Sequence, residues 1–358
     1  MKNIIKLTFV VLSSFALIGS ANAGDLTVGG TAKATYSIQS SDSTTGKNNA
    51  GKNIGIANEL TFTATGELDN GFTWKYQIEH DDTAAGTFVA TDDSRLEITT
   101  PYGTVGLYNT EGSLSTKYGS SQGAYAPASD YGLGGSIQYG GNIDGFNNIQ
   151  YHTPADVLPF GLSAKVGYVP NVGDQTGGND FKNTGAINPV VEGGNKLTQY
   201  RVDATPLDGL SIGADYATES GGDTGTAQQE ESGAYYAKYA FGNFKVGYGK
   251  SLYAPAMTNK DGFFTMYETD SYGVEFAVND ALSLSVTKEK SEATTNVAIV
   301  AGASGQVKTK VEADIDTYQV AYVVGGATLG FAITDTDNAD YVSGKEEKVT
   351  IFSIAMAF

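Results

Sequence analysis

From Leu26 onward the chain alternates apolar and polar residues with a period of two. Over 26–38, Leu26, Val28, Ala32, Ala34, Tyr36 and Ile38 share one face, and Thr27, Thr31, Lys33, Thr35, Ser37 and Gln39 share the other. Over 72–79, Phe72, Trp74, Tyr76 and Ile78 alternate with Thr73, Lys75, Gln77 and Glu79. Phe244, Val246 and Tyr248 alternate with Lys245, Gly247 and Gly249. This period belongs to strands with one apolar and one polar face. Helical periodicity is almost absent, and no stretch after residue 23 reaches the roughly 18 apolar residues of a helical span.

Seven places join two alternating runs by a tight turn: Leu68–Gly71, Pro101–Gly103, Leu158–Gly161, Pro206–Gly209, Phe241–Asn243, Asn279–Asp280 and Gly325–Gly326. Gly, Asn, Asp and Pro supply the backbone angles that short hairpins need. Between the hairpins lie longer polar segments at 40–53, 81–93, 110–135, 171–195, 219–232, 254–264, 290–310 and 337–345. A first strand, seven hairpins and a last strand predict sixteen strands, with fourteen and eighteen as alternatives.

The apolar rows begin or end in aromatic residues, among them Phe72, Tyr76, Tyr102, Tyr108, Tyr168, Tyr200, Tyr216, Phe244, Tyr248, Tyr272, Phe276, Tyr318, Tyr322, Phe331 and Phe352. Aromatic rings favour a membrane–water boundary, being apolar on one side and wet on the other. Hydrocarbon leaves no partner for an unpaired backbone group, so such a sheet must close. The pattern predicts an all-β, transmembrane antiparallel barrel with short periplasmic turns and long extracellular loops. Its apolar rows face lipid. Lys33, Glu59, Glu67, Lys75, Glu79, Arg95, Glu97, Lys165, Arg201, Asp203, Asp215, Lys238, Lys245, Glu275 and Glu289 then face a water-filled lumen, because a charge facing mid-bilayer costs about 2–4 kcal/mol.

The start of the chain is an address. Residues 1–23 pair Lys2 and Lys6 with an apolar stretch from Leu7 to Ile18 and a small-residue site at Ala21–Ala23, the pattern of a cleaved secretory signal peptide. Residues 24–358 then form a single barrel domain. Losing Lys2 and Lys6 makes the mature chain two units more negative than the formal −18 of the whole sequence. There is no Cys, which excludes disulfides, thiolate metal sites and a thiol nucleophile. Two arginines in an acidic chain oppose a nucleic-acid partner.

The last residues, KVTIFSIAMAF, place Thr350, Phe352, Ile354, Met356 and Phe358 on one face and end in an aromatic residue. Ser94 to Leu107, SRLEITTPYGTVGL, is a strand, a turn and a second strand leading into the long segment 110–135. With the architecture of residues 24–358, these stretches resemble the general Gram-negative outer-membrane porins. The resemblance implies a sixteen-stranded homotrimer in the outer membrane whose third loop folds into the lumen. It implies passive diffusion of small hydrophilic solutes and ions, contact with outer-membrane lipid and lipopolysaccharide, and assembly through the C-terminal Phe358. In that family a basic cluster on the wall is set against acids on the third loop. The matching positions are Lys33, Lys75, Arg95 and Arg201 on the wall and Glu111 and Asp130 on the loop, which also carries Lys117. The acidic balance predicts a mild cation preference.

Other functions leave weaker traces. A hydrolase needs a nucleophile, a base and an orienting group, and the chain has only His80 and His152, both expected to be surface polar residues. No resident cofactor is expected. Asp335, Asp337, Asn338 and Asp340, and Asp81, Asp82, Asp92 and Asp93, offer hard oxygens suited to loop-bound Ca²⁺, with solvated acidic loops as the alternative reading. Tyr118, Tyr125 and Tyr131 on the third loop are candidates for a sugar-type contact surface, or for pinning the loop to the wall. A structural or adhesive barrel calls for longer loops and a plugged lumen.

Overall fold

The computed structural model describes residues 24–43, 46–81, 93–124, 137–154, 157–172, 195–220, 228–256, 264–298 and 306–358. The segment 1–23, Asp82, Asp92, Tyr125, Asp130 and Tyr131 lie outside the described residues.

The described residues form sixteen strands. These are β1 Asp25–Ser43, β2 Gly46–Glu67, β3 Thr73–Asp81, β4 Ser94–Thr100, β5 Gly103–Asn109, β6 Asn148–His152, β7 Ser163–Val169 and β8 Lys196–Leu207. They continue as β9 Leu210–Ser220, β10 Glu231–Phe241, β11 Phe244–Ala254, β12 Phe264–Ala277, β13 Leu282–Ala298, β14 Gln306–Val324, β15 Ala327–Asp337 and β16 Glu346–Ala357. Each strand pairs with its neighbours in sequence, and β1 pairs antiparallel with β16 to close the barrel. At that seam Phe358 and Gly30 exchange two backbone hydrogen bonds, at 2.9 and 3.0 Å. Closure leaves no sheet edge, which is the condition for a β-structure in hydrocarbon.

All seven expected hairpin turns connect consecutive strands on one side. Gly71, Gly209, Gly242, Gly325 and Gly326 have positive φ there, as tight turns demand. Strand length departs from the uniform 9–11 residues of a bare membrane crossing: β6 has 5 residues, while β2 has 22 and β14 has 19. Parts of 40–53, 219–232 and 290–310 that read as loop are therefore strand. Their Ser/Thr/Lys/Glu content is polar on both faces. That removes the apolar alternation used to recognise a strand but not the backbone ladder, which continues as far as Ala298↔Gln306.

Alternation sorts the two faces. On β14, Tyr318 and Tyr322 are exposed outward, whereas Thr317 and Gln319 are buried inside. The charges expected to face the lumen all fall on inward positions by strand register, as Lys165, Arg201 and Asp215 illustrate across β7, β8 and β9. Rings line the outward face near the short turns, where Phe241, Phe244 and Phe276 contact in series at 5.7 and 4.7 Å. A second row follows at Tyr235, Tyr248 and Tyr272, at 6.5 and 5.2 Å.

Tyr108 departs from the expected rows. Val105 and Leu107 occupy the outward positions of β5, so Tyr108 points inside, is 3% exposed, and donates its hydroxyl to Glu97 Oε1 at 2.7 Å. A second departure is a charged tier on the outward face beyond the upper ring row. Lys250 pairs with Glu268 and Asp270, Lys288 with Asp314 and Asp316, Lys290 with Glu312 and Asp314, and Lys348 with Asp335. Outward charge is tolerated there because the strands have left the apolar band; pairing across neighbouring strands offsets the repulsion among so many carboxylates.

Candidate functional site

The connection between β5 and β6 enters the barrel instead of leaving it. Its first half is held by inward side chains of successive strands. Asn148 Nδ2 on β6 donates to Glu111 O at 3.0 Å, and Gln150 Nε2 donates to Gly112 O at 2.5 Å. Leu114 and Ile143 pack against inward Val169, Leu197 and Ala217, a small apolar core inside an otherwise polar lumen. Arg201 Nη1 on β8 donates to Ser115 O at 3.3 Å. On β9, Asp215 Oδ1 accepts from both the amide and the hydroxyl of Thr116, at 2.5 and 2.7 Å. Further along, the Ala124 amide donates to Ser285 Oγ on β13 at 2.6 Å.

Glycines make room for this path. A Cβ on Gly247 of β11 would lie 2.1 Å from Ser120 O, and one on Gly249 would lie 2.9 Å from Ser120 Cβ. On β12, a Cβ at Gly273 would lie 3.0 Å from the Gln122 backbone nitrogen. Any side chain at Gly247 would therefore have to displace the loop backbone.

Beside the loop's entry lies a chamber of about 550 Å³. Its wall carries Lys75, Arg95 and Lys165 against Glu97, and the loop side adds Glu111 and Asp144. Arg95 Nη1 meets Glu111 Oε1 at 3.0 Å, and Arg95 Nη2 donates to Gln77 Oε1 at 2.6 Å. Burial raises the Glu111 carboxyl above its ordinary range, an effect that the neighbouring guanidinium offsets only in part.

The structure brings Arg95, Lys75 and Glu111 together at this chamber. Arg201 stands apart, in a two-pronged contact with Asp203 at 2.6 and 3.0 Å. Lys33 faces inward from β1 and does not line the chamber. Asp130 lies outside the described residues. Arg95 on the wall and Glu111 on the loop contact each other directly.

Several participants escape a reading of the sequence. Gln150 and Asp215 hold the loop, and the residues they hold lie 38 and 99 positions away. His152 is half-buried and faces the chamber instead of the outer surface, 2.8 Å from Gln150 Oε1. One signal was available: Gly247 and Gly249 fall on the polar face of their strand, where a strand profits from a side chain unless another backbone needs the space. Of the acidic residues considered for Ca²⁺, Asp335 pairs with Lys348 and Asp340 with Lys345. Among the described residues no group of three metal-ligating side chains converges.

The sequence pattern of Gram-negative porins matches residues 8–358. No curated protein matches the chain. Among solved structures, the anion-selective porin from Comamonas acidovorans superposes with a TM-score of 0.63 at 15% identity, covering 93% of this chain and 100% of that one. Salmonella typhi OmpF, solved in complex with daunomycin, gives 0.58 at 14% identity, covering 95% of this chain and 100% of that one. The trimer form of in-vitro folded OmpT, an outer membrane protein of Vibrio cholerae, gives 0.56 at 13% identity, covering 94% and 100%. At these identities the superpositions carry the fold.

Proposed function

The chain belongs to the Gram-negative porin family, and from that premise we propose that it is a non-enzymatic diffusion pore for small hydrophilic solutes and ions with a mild preference for cations. It is a multi-pass β-barrel of the outer membrane and forms a channel there. The observation that carries the finer reading is the chamber beside the internal loop, where Asp93, Glu97, Glu111 and Asp144 outnumber Lys75, Arg95 and Lys165. A lumen with a small surplus of carboxylates enriches cations through its field. Other carboxylates lie on the outward tier of β11 to β16, where lysines pair with them and water and salt screen them. The preference is therefore mild despite the large net charge.

Lys75, Arg95 and Glu111 set the selectivity in this reading, with Arg201, Lys33 and Asp130 as further contributors along the lumen. Three barrels associate into a homotrimer, as in the trimer form of the Vibrio cholerae protein. Residues 1–23 are removed on export, and Phe358 serves barrel assembly. Lipopolysaccharide surrounds the outward charged tier, with Ca²⁺ bridging its phosphates to loop carboxylates. Single-channel recording of the refolded mature chain across a salt gradient tests the central claim. Large, stable steps with a cation-leaning reversal potential are expected. A folded, heat-modifiable barrel without conductance, or one with an anion-leaning reversal, would overturn it.

A further inference from the structure

Three tyrosines form a continuous aromatic surface on the inner wall, away from the chamber at Arg95. Tyr253 on β11 and Tyr267 on β12 are register partners, and their inward rings stack at 5.8 Å with 18° between planes. Tyr341 extends the row, with its ring centroid 5.1 Å from that of Tyr267. It reaches inward from the short turn Ala339–Tyr341 between β15 and β16, where Asn338, Asp340 and Tyr341 all have left-handed φ, at 52, 54 and 57°. Left-handed backbone at non-glycine residues persists only where the surroundings enforce it. Here the Tyr341 hydroxyl accepts from the Gln138 amide at 2.9 Å and lies 2.8 Å from Ser291 Oγ, which is itself 2.7 Å from Thr269 Oγ1. The ring is thus held in place by a wired hydroxyl, and all three rings are part-exposed.

The charged groups at the Tyr253 end are carboxylates, beside the Ser232 hydroxyl, which donates to Gly141 O. Glu230 lies two residues before Ser232, the register partner of Tyr253, and accepts from the Gly141 and Ala256 amides; the Glu219 amide donates to Glu230 O at 3.0 Å, so the two glutamates sit side by side. Glu219 accepts from the Asn195 side chain. A neutral sugar needs several donors and acceptors at the edge of the stacking face, and the Tyr341 hydroxyl is already committed. A flat or apolar solute carrying a positive charge matches both features, since ring faces and carboxylates attract the same ligand. The lumen shows this chemistry already: the Lys117 ammonium lies 4.9 Å from the centre of Tyr118 and 5.1 Å from that of Tyr139, and the Lys238 ammonium lies 5.7 Å from the centre of Tyr236.

We propose that Tyr253, Tyr267 and Tyr341, with Glu230 and Glu219 at one end, form a subsite for organic ammonium solutes on the lumen wall. The subsite rests on the reading of the barrel as an open pore. It would delay such solutes in transit and concentrate them at low abundance. It is distinct from Tyr118 on the third loop, which is engaged with Tyr139 and Lys117.

Benzyltrimethylammonium is a suitable probe, with benzyl alcohol as its uncharged counterpart. Each variant's potassium chloride current in a planar bilayer is the reference for its own blockade. The expected result is saturable blockade by the ammonium and none by the alcohol at the same concentration. Tyr267→Leu should raise the half-blocking concentration by roughly five- to tenfold and Glu230→Gln by roughly threefold, while Tyr267→Phe, which keeps the ring, retains it. Equal blockade by benzyl alcohol, or an unchanged half-blocking concentration in both Tyr267→Leu and Glu230→Gln, would overturn the subsite. A folded barrel without current would instead overturn the pore. Calorimetric titration of the ammonium into the detergent-solubilised chain then decides the subsite: binding heat lost in Tyr267→Leu supports it, and no heat with the unaltered chain removes it.

Discussion

Asp215 and Thr116 are 99 residues apart, yet one carboxylate oxygen accepts both the amide and the hydroxyl of the threonine. This is the tightest polar tie between the internal loop and the wall of β9. Gln199 Nε2 holds the other oxygen of Asp215 at 3.2 Å. Asp215→Ala leaves three donors, the Thr116 amide and hydroxyl and Gln199 Nε2, without their acceptor at a site where Thr116 is 2% exposed. Lost hydrogen bonds to a charged group cost about 1.5–3 kcal/mol each. The expected outcome is a folded barrel with noisier current and a broader spread of unit conductance in single-channel records. Conductance as narrow as that of the unaltered chain would show that the loop does not depend on this tie.

The glycines under the loop make a sharper test, because they act through volume alone. Gly247→Val would drive a side chain into the Ser120 carbonyl. The loop backbone has to move, and unit conductance should change with it. Gly51→Ala is the matched control, since nothing lies within 4 Å of a Cβ there. It should leave conductance as it is.

At the chamber, charge state should read out directly as selectivity. Glu111 is raised above the ordinary carboxylate range by burial, so on acidification it takes up its proton earlier than an exposed glutamate. Its negative charge is lost as the pH falls, which leaves Arg95, Lys75 and Lys165 less opposed. The reversal potential should therefore move toward anions at mildly acidic pH. Glu111→Gln should show that shifted selectivity already at neutral pH and a smaller further change on acidification. Arg95→Ala should move selectivity the other way.

The outward tier marks where the apolar band ends, and stability can locate that edge. Val286 and Lys288 share the outward face of β13, and Val286 lies opposite Val274, between the ring rows of Phe276 and Tyr272. Val286→Arg places a charge inside the band and should destabilise the lipid-folded barrel by about 2–4 kcal/mol. Lys288→Ala removes a pair partner beyond the band and should change stability by about 1 kcal/mol or less. Denaturant titration of protein folded into vesicles distinguishes the two. Equal costs would place the membrane boundary elsewhere.

Much of the architecture is legible in order along the chain. Period-two alternation identifies the strands and the face of each charge, because a strand's side chains alternate strictly and a mid-bilayer charge is costly. The turn residues at 68–71, 206–209 and 325–326 identify the hairpins, because they answer a local backbone requirement. Strand ends are legible only where one face stays apolar. This is why the polar extensions of β13 and β14 read as loop, and why the inward turn of Tyr108 depends on which neighbours claim the lipid face.

Amino-acid order by itself thus pointed to a closed transmembrane barrel of about sixteen strands and determined the inward placement of Lys75, Arg95, Lys165 and Asp215, all consequences of local periodicity and membrane solvation. Only the tertiary structure decided that Glu111 pairs with Arg95, that Asp215 seats Thr116, that Gly247 and Gly249 yield space to Ser120, and that Tyr341 joins Tyr253 and Tyr267. Each of these joins residues far apart in the chain. Barrel closure sets which strands face each other across the lumen, and the path of a loop through it follows from contacts that no local pattern records.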